Sequence, residues 1–480
     1  MRISRKRRIL GFSESRELIV SAFLALLLAG VARIPGAEEP TLSITDAVEA
    51  ALRQNPGVES ANWDWLAASA EAGAVGFRQF PSLSVSSSYQ RLSQLPPMSV
   101  DFPNPFEPGT IPLELPASLT NVFSFGVNLQ YPVFAGYRLR ETLAIARLTS
   151  DSKLSALEMV KRSLLFEVRR SYWEALRAEH SLGTLRRNLE LTEANYNLLS
   201  EQVATGAATE ADLLAAEARQ KQAQIDLGSA VAQRNRACLL LASLLGWNLA
   251  DLQISADPSA AQMPFALSTP ADDPLVPGIA GALDDKELID MALARRPETR
   301  SSALAAQAAE HGARLAAAPL YPTVAITGNF TFADPNPRVA FQTDPWQFAG
   351  TWALGVQLSY DIGGIRANLE EKKAQELGIK KARADAVKLT TTVILDVRTC
   401  ILSLTRARAD LELLRDMVAQ AEENARVAQQ RYEAGTLNEV GRLSEQLGLL
   451  RAQFAVFNKQ IDVQIAAADL LRATAMETLP

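Results

Sequence analysis

Two cysteines and two histidines among 480 residues leave little for redox, metal or acid–base chemistry. Cys238 and Cys400 fall inside helical stretches, one late in each half of the chain, and read as small buried apolar residues rather than a disulfide or metal pair. His180 and His311 lie on helical stretches with no Cys or carboxylate at ligand spacing, which makes them packing or surface residues. There is no phosphate-cradling Gly loop, Gly-x-Ser-x-Gly elbow or Cys-x-x-Cys. No catalytic group, cofactor or metal is therefore expected. Aromatics are only 6% and glycines only 25, which suits long Ala/Leu-rich helices. Proline is missing from about 137 to 205 and again from about 365 to 434. At ~1.5 Å per residue each gap holds a helix roughly 100 Å long.

Outside the N-terminus no apolar run approaches a membrane-spanning helix. Arg2, Arg5, Lys6, Arg7 and Arg8 precede an apolar run from Leu18 to Ala32, with small-residue exits at Gly30-Val31-Ala32 and Gly36-Ala37. That is an export signal over 1–37, cleaved near Arg33 or Glu38, since a stable span needs about 20 apolar residues. Arg7-Arg8 also admits a twin-arginine reading. No cysteine lies just after the leader, so no site for N-terminal lipid attachment is expected. The leader holds seven basic and two acidic residues, so the remainder carries −11 against −6 for the whole chain. A nucleic-acid partner does not fit that charge.

What the chain does have, it has twice. Asn55-Pro56 and Phe80-Pro81 return as Arg296-Pro297 and Tyr321-Pro322, each 241 positions on, and Glu167-Val168-Arg169 returns as Asp396-Val397-Arg398 after 229. Two internal repeats of this length indicate a symmetric architecture rather than a short-period solenoid. The expected boundaries are a first repeat at 38–246, a connecting segment rich in Pro, Asp and Ala at 247–283, a second repeat at 284–475, and a tail at 476–480. Each repeat reads helix, strand, long loop, strand, then two long helices.

Strands are expected near 81–92, 121–132, 322–332 and 351–361, each about the length that crosses a bilayer when tilted. Phe123, Phe125, Val127, Leu129 and Tyr131 alternate with Ser124, Gly126, Asn128 and Gln130, and Trp352, Leu354, Val356, Leu358 and Tyr360 alternate with Ala353, Gly355, Gln357 and Ser359. Val324, Ile326, Phe330 and Phe332 follow the same pattern, and Leu83, Val85 and Tyr89 follow it more weakly. A soluble half-buried sheet would alternate too. The export signal and the aromatic strand ends favour an outer-membrane barrel, with long outer loops at Leu95 to Leu119 and Ala333 to Phe348. Four strands cannot close, and open edges in lipid cost several kcal/mol per unpaired group, as an order of magnitude. Three copies would give twelve strands and a passage, whereas two would give a barrel filled by its own side chains. A homotrimer in outer-membrane lipid is expected.

The long helices carry heptad seams: Leu182, Leu185, Leu189, Thr192, Tyr196, Leu199 and Val203, repeated as Leu411, Leu414, Val418, Ala421, Ala425, Ala428 and Tyr432. Turns around Gly206 (tip 204–209) and Gly435 (tip 433–438) reverse the chain into antiparallel partner helices. The fold class is thus an α+β membrane protein, a β-barrel continued by helical hairpins.

Leu42-Ser43-Ile44-Thr45-Asp46-Ala47 running to Asn55-Pro56, Tyr131-Pro132-Val133-Phe134-Ala135-Gly136-Tyr137-Arg138, Tyr360-Asp361-Ile362-Gly363-Gly364-Ile365-Arg366, and the two glycine turns together resemble the TolC-type outer-membrane efflux family. The resemblance covers nearly all of the chain after the leader. It implies a homotrimer with one twelve-stranded barrel, a periplasmic coiled-coil tunnel, a periplasmic adaptor protein and an inner-membrane pump. The tips Thr205, Gly206, Ala207, Ala434, Gly435 and Thr436 are the implied adaptor-docking positions. Where such proteins carry mouth aspartates and a locking arginine on the second tip, this chain has Gly441, Ser444 and Leu437. In the first half the corresponding acid is present as Asp212, and Glu210 and Glu439 are the candidate substitutes at the mouth, although acids at a helix N-terminus are also explained by its dipole.

Three functions suit an exported chain with long helical hairpins. A passive exit duct of a tripartite efflux or type I secretion system needs no energy-coupling residue. A periplasmic adaptor or structural coiled-coil protein would need a module of short strands between the hairpins, and a specific diffusion porin would spend most of its length on strands. Here the strands take about 40 residues, which favours the duct.

Overall fold

The computed structural model of the chain describes residues 41–93, 99–106, 108–114, 120–252, 266–267, 284–336, 338 and 348–476. The leader at 1–37, most of the connecting segment and the tail beyond 476 lie outside them. In chain order the elements are β1 (Thr41–Leu42), α1 (Ile44–Gln54), α2 (Pro56–Phe77), β2 (Ser82–Arg91), β3 (Ser99–Pro103), β4 (Thr110–Glu114), β5 (Asn121–Ala135), α3 (Arg138–Ala204) and α4 (Glu210–Leu244). They continue with β6 (Ala266–Leu267), α5 (Asp285–Arg295), α6 (Pro297–Ala316), β7 (Thr323–Asp334), β8 (Ala349–Ser359), α7 (Ile365–Glu433) and α8 (Glu439–Thr474).

The four long strands form one antiparallel sheet in the order β2-β5-β7-β8, so β2 and β8 each keep one edge unpaired within the chain. Residues directly opposite across neighbouring strands share a face. Val85, Val127, Phe330 and Trp352 form one row, and Leu83, Leu129, Gly328 and Leu354 another. One residue along, Ser84, Asn128, Asn329 and Ala353 form a row on the opposite face, where the Asn329 amide donates to Asn128 Oδ1 at 2.6 Å. The sheet therefore has one apolar and one polar face, and the apolar one is not covered. Trp352 is 74% exposed and Val356 72%.

Three features depart from the sequence expectation. β5 runs past Pro132 to Ala135: Pro132 stays opposite Ala325, and a register shift before Phe134 leaves Val133 as the extra residue of a bulge. The proline-rich stretch at 95–119, expected as a loop, contains the antiparallel hairpin β3–β4. The leading helix of each half is also two helices rather than one. Pro56 and Pro297 stand at the first positions of α2 and α6, and proline drives the residue before it to extended backbone, so Asn55 (ψ 122) and Arg296 (ψ 130) break the chain there.

Those breaks are put to use. The Asn55 amide donates to Leu244 O at the end of α4 (2.9 Å), and Arg296 Nε donates to Ala473 O at the end of α8 (2.6 Å). Each break thereby satisfies a terminal carbonyl of the second leg of its hairpin. Around the first gathers a core of Ile44, Ala47, Val168, Tyr172, Trp173, Leu241 and Leu245; around the second, Leu288, Val393, Val397, Cys400 and Leu470. Arg296 and Arg472 share the carboxylate of Asp396, at 2.5 and 3.2 Å.

Next to the sheet the helices lie side by side as α2, α3, α6 and α7, and farther away as α4, α3, α8 and α7. This is the order of the strands they adjoin, so one wall, four elements wide, runs from sheet to hairpin tips. The first-half seam is buried where α3 meets α4, with Leu182, Leu185 and Leu189 against Leu227, Ala230 and Val231. No helix of the described residues is long and apolar enough to cross a membrane, which does not bear on the sheet.

Candidate functional site at the hairpin tips

α3 has 67 residues and α7 has 69, so at ~1.5 Å per residue each tip stands roughly 100 Å from the strands. Both turns use the same stereochemistry. Gly206 has φ 74° and Gly435 φ 69°, the left-handed region that glycine enters without a Cβ penalty. In the first turn the Ala207 amide reaches back to Gln202 O (2.7 Å), and in the second the Thr436 amide reaches Arg431 O (2.8 Å), which satisfies the last carbonyls of each long helix. Thr205 adds a hydroxyl bond to Gln202 O at 3.0 Å, and Thr436 one to Arg431 O at 3.0 Å. Ala434 is the cap residue of α7 and, like the other five tip positions, is exposed.

The two partner helices begin differently. Thr209 caps α4 by accepting the Asp212 amide on its hydroxyl, while Asp212 Oδ2 accepts from the Thr209 hydroxyl (2.6 Å) and amide (3.2 Å). This reciprocal capping box needs an acid or amide three residues into the helix. Asn438 caps α8 by accepting the Gly441 amide at 2.9 Å, and glycine has nothing to return. The acid at 212 and the glycine at 441 thus find a local explanation in capping. The Thr209 hydroxyl, then its amide, holds the Asp212 carboxyl below the usual carboxylate range.

Glu439 is engaged instead with Arg442. Arg442 Nε donates to Glu439 Oε2 at 3.0 Å, and a second guanidinium nitrogen closes the fork on Oε1. The guanidinium carbon lies 5.3 Å from the centre of the Tyr432 ring, which ties α8 back to the end of α7. Hydrogen bonding to Arg442 lowers the Glu439 pKa, and hydrogen bonding to Glu439 raises that of the Tyr432 phenol. Of the three candidate mouth acids, Glu210 alone has no side-chain partner among the described residues. Arg442 was not singled out in the sequence, although its spacing of three from Glu439 is the pairing distance on a helix.

The rarer side chains are accounted for. Cys238 and Cys400 are free and buried, and burial pushes their thiols up to about 11 and about 12, which makes them poor nucleophiles. His180 stacks on Phe457 at 3.6 Å between ring centres, and burial lowers its pKa. His311 corrects the sequence expectation that no carboxylate lies near it: its Nδ1 stands 2.6 Å from Glu141 Oε2, on a helix 170 residues away in sequence. No group of three or more potential metal ligands occurs among the described residues.

Acidification tests the cap. Because the folded carboxyl of Asp212 titrates below its unfolded value, its contribution is present above the ordinary Asp range and is lost as pH falls through the lowered value. The protection of the amides at 209–213, taken as exchange relative to the intrinsic rate at each pH, should fall on acidification in the parent protein. In Asp212→Ala that protection should already be low at neutral pH and vary little with pH. Identical exchange profiles would exclude the capping role.

A sheet with one bare apolar face and two edges open within the chain, continued by helices of this length, gives the chain the architecture of a membrane channel protein. The chain belongs to the outer membrane efflux protein family, whose model matches residues 47–247 and 288–476. As a member of this TolC-type family it is an outer-membrane protein. It is 27% identical to the outer membrane protein OprJ of Pseudomonas aeruginosa over 322 residues, 66% of this chain and 62% of OprJ, so the match spans somewhat less than two thirds of that relative. It is 24% identical to the probable efflux pump outer membrane protein TtgC of Pseudomonas putida, over 75% of this chain and 72% of TtgC. Among solved structures the fold matches the Campylobacter jejuni CmeC outer membrane channel with a TM-score of 0.73, at 16% identity, over 92% of this chain and 90% of that one. It also matches the outer-membrane channel OprN, with a TM-score of 0.67, at 19% identity, over 90% and 89%.

Proposed function

We propose that three copies of this chain form a passive exit duct in the outer membrane, the last component of a tripartite efflux or type I secretion system. The observation that carries this reading is the four-stranded sheet with its apolar face bare and both edges unpaired. Such a sheet is unstable in lipid unless neighbouring copies close it, and three copies supply twelve strands. The helical wall supports the same closure. Leu395 (64%), Leu402 (70%) and Leu413 (64%) are exposed on α7 at one edge, and Ile225 (62%) and Leu240 (54%) on α4 at the other. Apolar surface at both edges suits head-to-tail contacts that close into a ring.

The two repeats give the ring six tips, the surface a periplasmic adaptor can reach, and Thr205, Gly206, Ala207, Ala434, Gly435 and Thr436 are the proposed docking positions. An inner-membrane pump supplies the energy, in keeping with the relative named as an efflux pump outer membrane protein. Around the mouth, Asp212 and Glu210 supply the negative charge, and Arg442 offsets Glu439. The mass of the detergent-extracted particle and its conductance in planar bilayers test the reading together. A particle of three chains giving discrete steps is expected; a stable monomer or dimer, or a trimer without steps, overturns it. In the same recordings Asp212→Asn should weaken block by divalent cations.

A further inference from the structure

We propose that a cavity just below the sheet, on its apolar side, binds the headgroup of a phosphatidylethanolamine from the periplasm-facing leaflet. The proposal rests on the reading of the sheet as a membrane wall. Its starting point is position. Ala135, Thr323 and Ser359 stand in one row, so β5, β7 and β8 end at a common level where α3 and α7 begin and α6 ends. Phe134 shares a row with Val324 and Leu358 on the apolar face. The Tyr137 ring packs edge-on against Phe134 at 5.4 Å and against Tyr321 at 5.9 Å. Both tyrosines are about half exposed and line a cavity of about 480 Å³ bounded by α3, α6 and α7. Tyrosines of this kind mark the level of lipid headgroups, and the volume lies in the range of small-ligand sites, about 300–1,000 Å³.

The charges in the cavity select the headgroup. Glu141, 5% exposed, is taken by His311 at 2.6 Å, and Glu310 by Arg383 at 3.0 Å. Lys372 and Glu376 meet only at 3.6 Å, with 42% and 53% of their side chains exposed. Arg314 is exposed and has no ion pair or side-chain hydrogen bond among the described residues. The cavity therefore offers one spare guanidinium beside a loosely held carboxylate. A phosphate accepts the planar fork of Arg314, and a primary ammonium on the same headgroup donates to Glu376. An anionic phosphatidylglycerol headgroup would gain the first contact and bring no cation to Glu376. A phosphatidylcholine headgroup would carry a cation with no N–H to donate.

The test is native mass spectrometry of the full chain, with conductance recorded on the same preparation, titrated separately with phosphatidylethanolamine, phosphatidylglycerol and phosphatidylcholine. Phosphatidylethanolamine should be retained at about tenfold lower lipid concentration than the other two, one molecule per chain. Arg314→Gln should lose about tenfold in that retention, and Glu376→Gln should remove the preference over phosphatidylcholine. Both variants should keep the parent conductance, which shows that they fold. Equal retention of the three lipids, preference for phosphatidylglycerol, or unchanged retention in Arg314→Gln would each overturn the site. Absence of conductance in the parent would count against the channel alone, because the lipid ranking is read independently of it.

Discussion

Val127→Lys is expected to deplete the protein from the outer membrane, and Asn128→Lys, one residue along the same strand, is expected to leave its level unchanged. Both positions lie near the middle of β5, the centre of the proposed membrane span. Val127 stands in the apolar row with Val85, Phe330 and Trp352, and Asn128 in the polar row with Ser84, Asn329 and Ala353. A lysine facing lipid near the midplane costs about 2–4 kcal/mol, and each trimer would carry the change three times. On the polar face the ammonium meets water in the lumen and stays hydrated. Val356→Lys and Gln357→Lys repeat the comparison on β8. The measurement is the amount of heat-resistant oligomer in outer-membrane fractions, normalised to total expression. Equal amounts for the two members of a pair would invert or abolish the assigned faces.

The sheet was legible because two-residue alternation survives in the sequence without tertiary help, and a one-residue slip would put Asn128 or Gln357 into lipid. The tips were legible for a similar local reason: a glycine after a long seam of apolar residues, followed by a cap such as Thr209 or Asn438, is a turn whatever packs nearby. Contacts between distant segments were not. The pairing of His311 with Glu141 spans 170 residues, and that of Arg296 with Asp396 spans 100. The hairpin β3–β4 was hidden for a different reason, since Pro103 and Pro112 lie within its short strands and proline argues against a strand. The local partners of Asp212 and Glu439 were not legible either. One completes a cap and the other an ion pair, because Thr209 stands where its own backbone needs the carboxylate and Arg442 stands one helical turn from Glu439.

Gly435→Val, and equally Gly206→Val, is expected to abolish pump-dependent export while trimers still reach the outer membrane. An added Cβ at either glycine would meet nothing within 4 Å, so crowding plays no part. What a valine cannot easily do is hold φ near +69° or +74°. The left-handed region costs an L-residue roughly 1–2 kcal/mol, more for a β-branched one, and the turn would relax by giving up the bonds from Gly435 to Tyr432 O and from Thr436 to Arg431 O. That relaxation moves the surface proposed for the adaptor and leaves the sheet, roughly 100 Å away, untouched. Asparagine enters the same region readily, so Gly435→Asn should export like the parent and cross-link to the adaptor at the parent level. The comparison of Val with Asn separates backbone shape from mere substitution. If the two variants export equally well, the tip conformation is not what the partner reads; if the Val variant fails to form trimers, the turn is needed for folding instead and the assignment of docking to Gly206 and Gly435 falls.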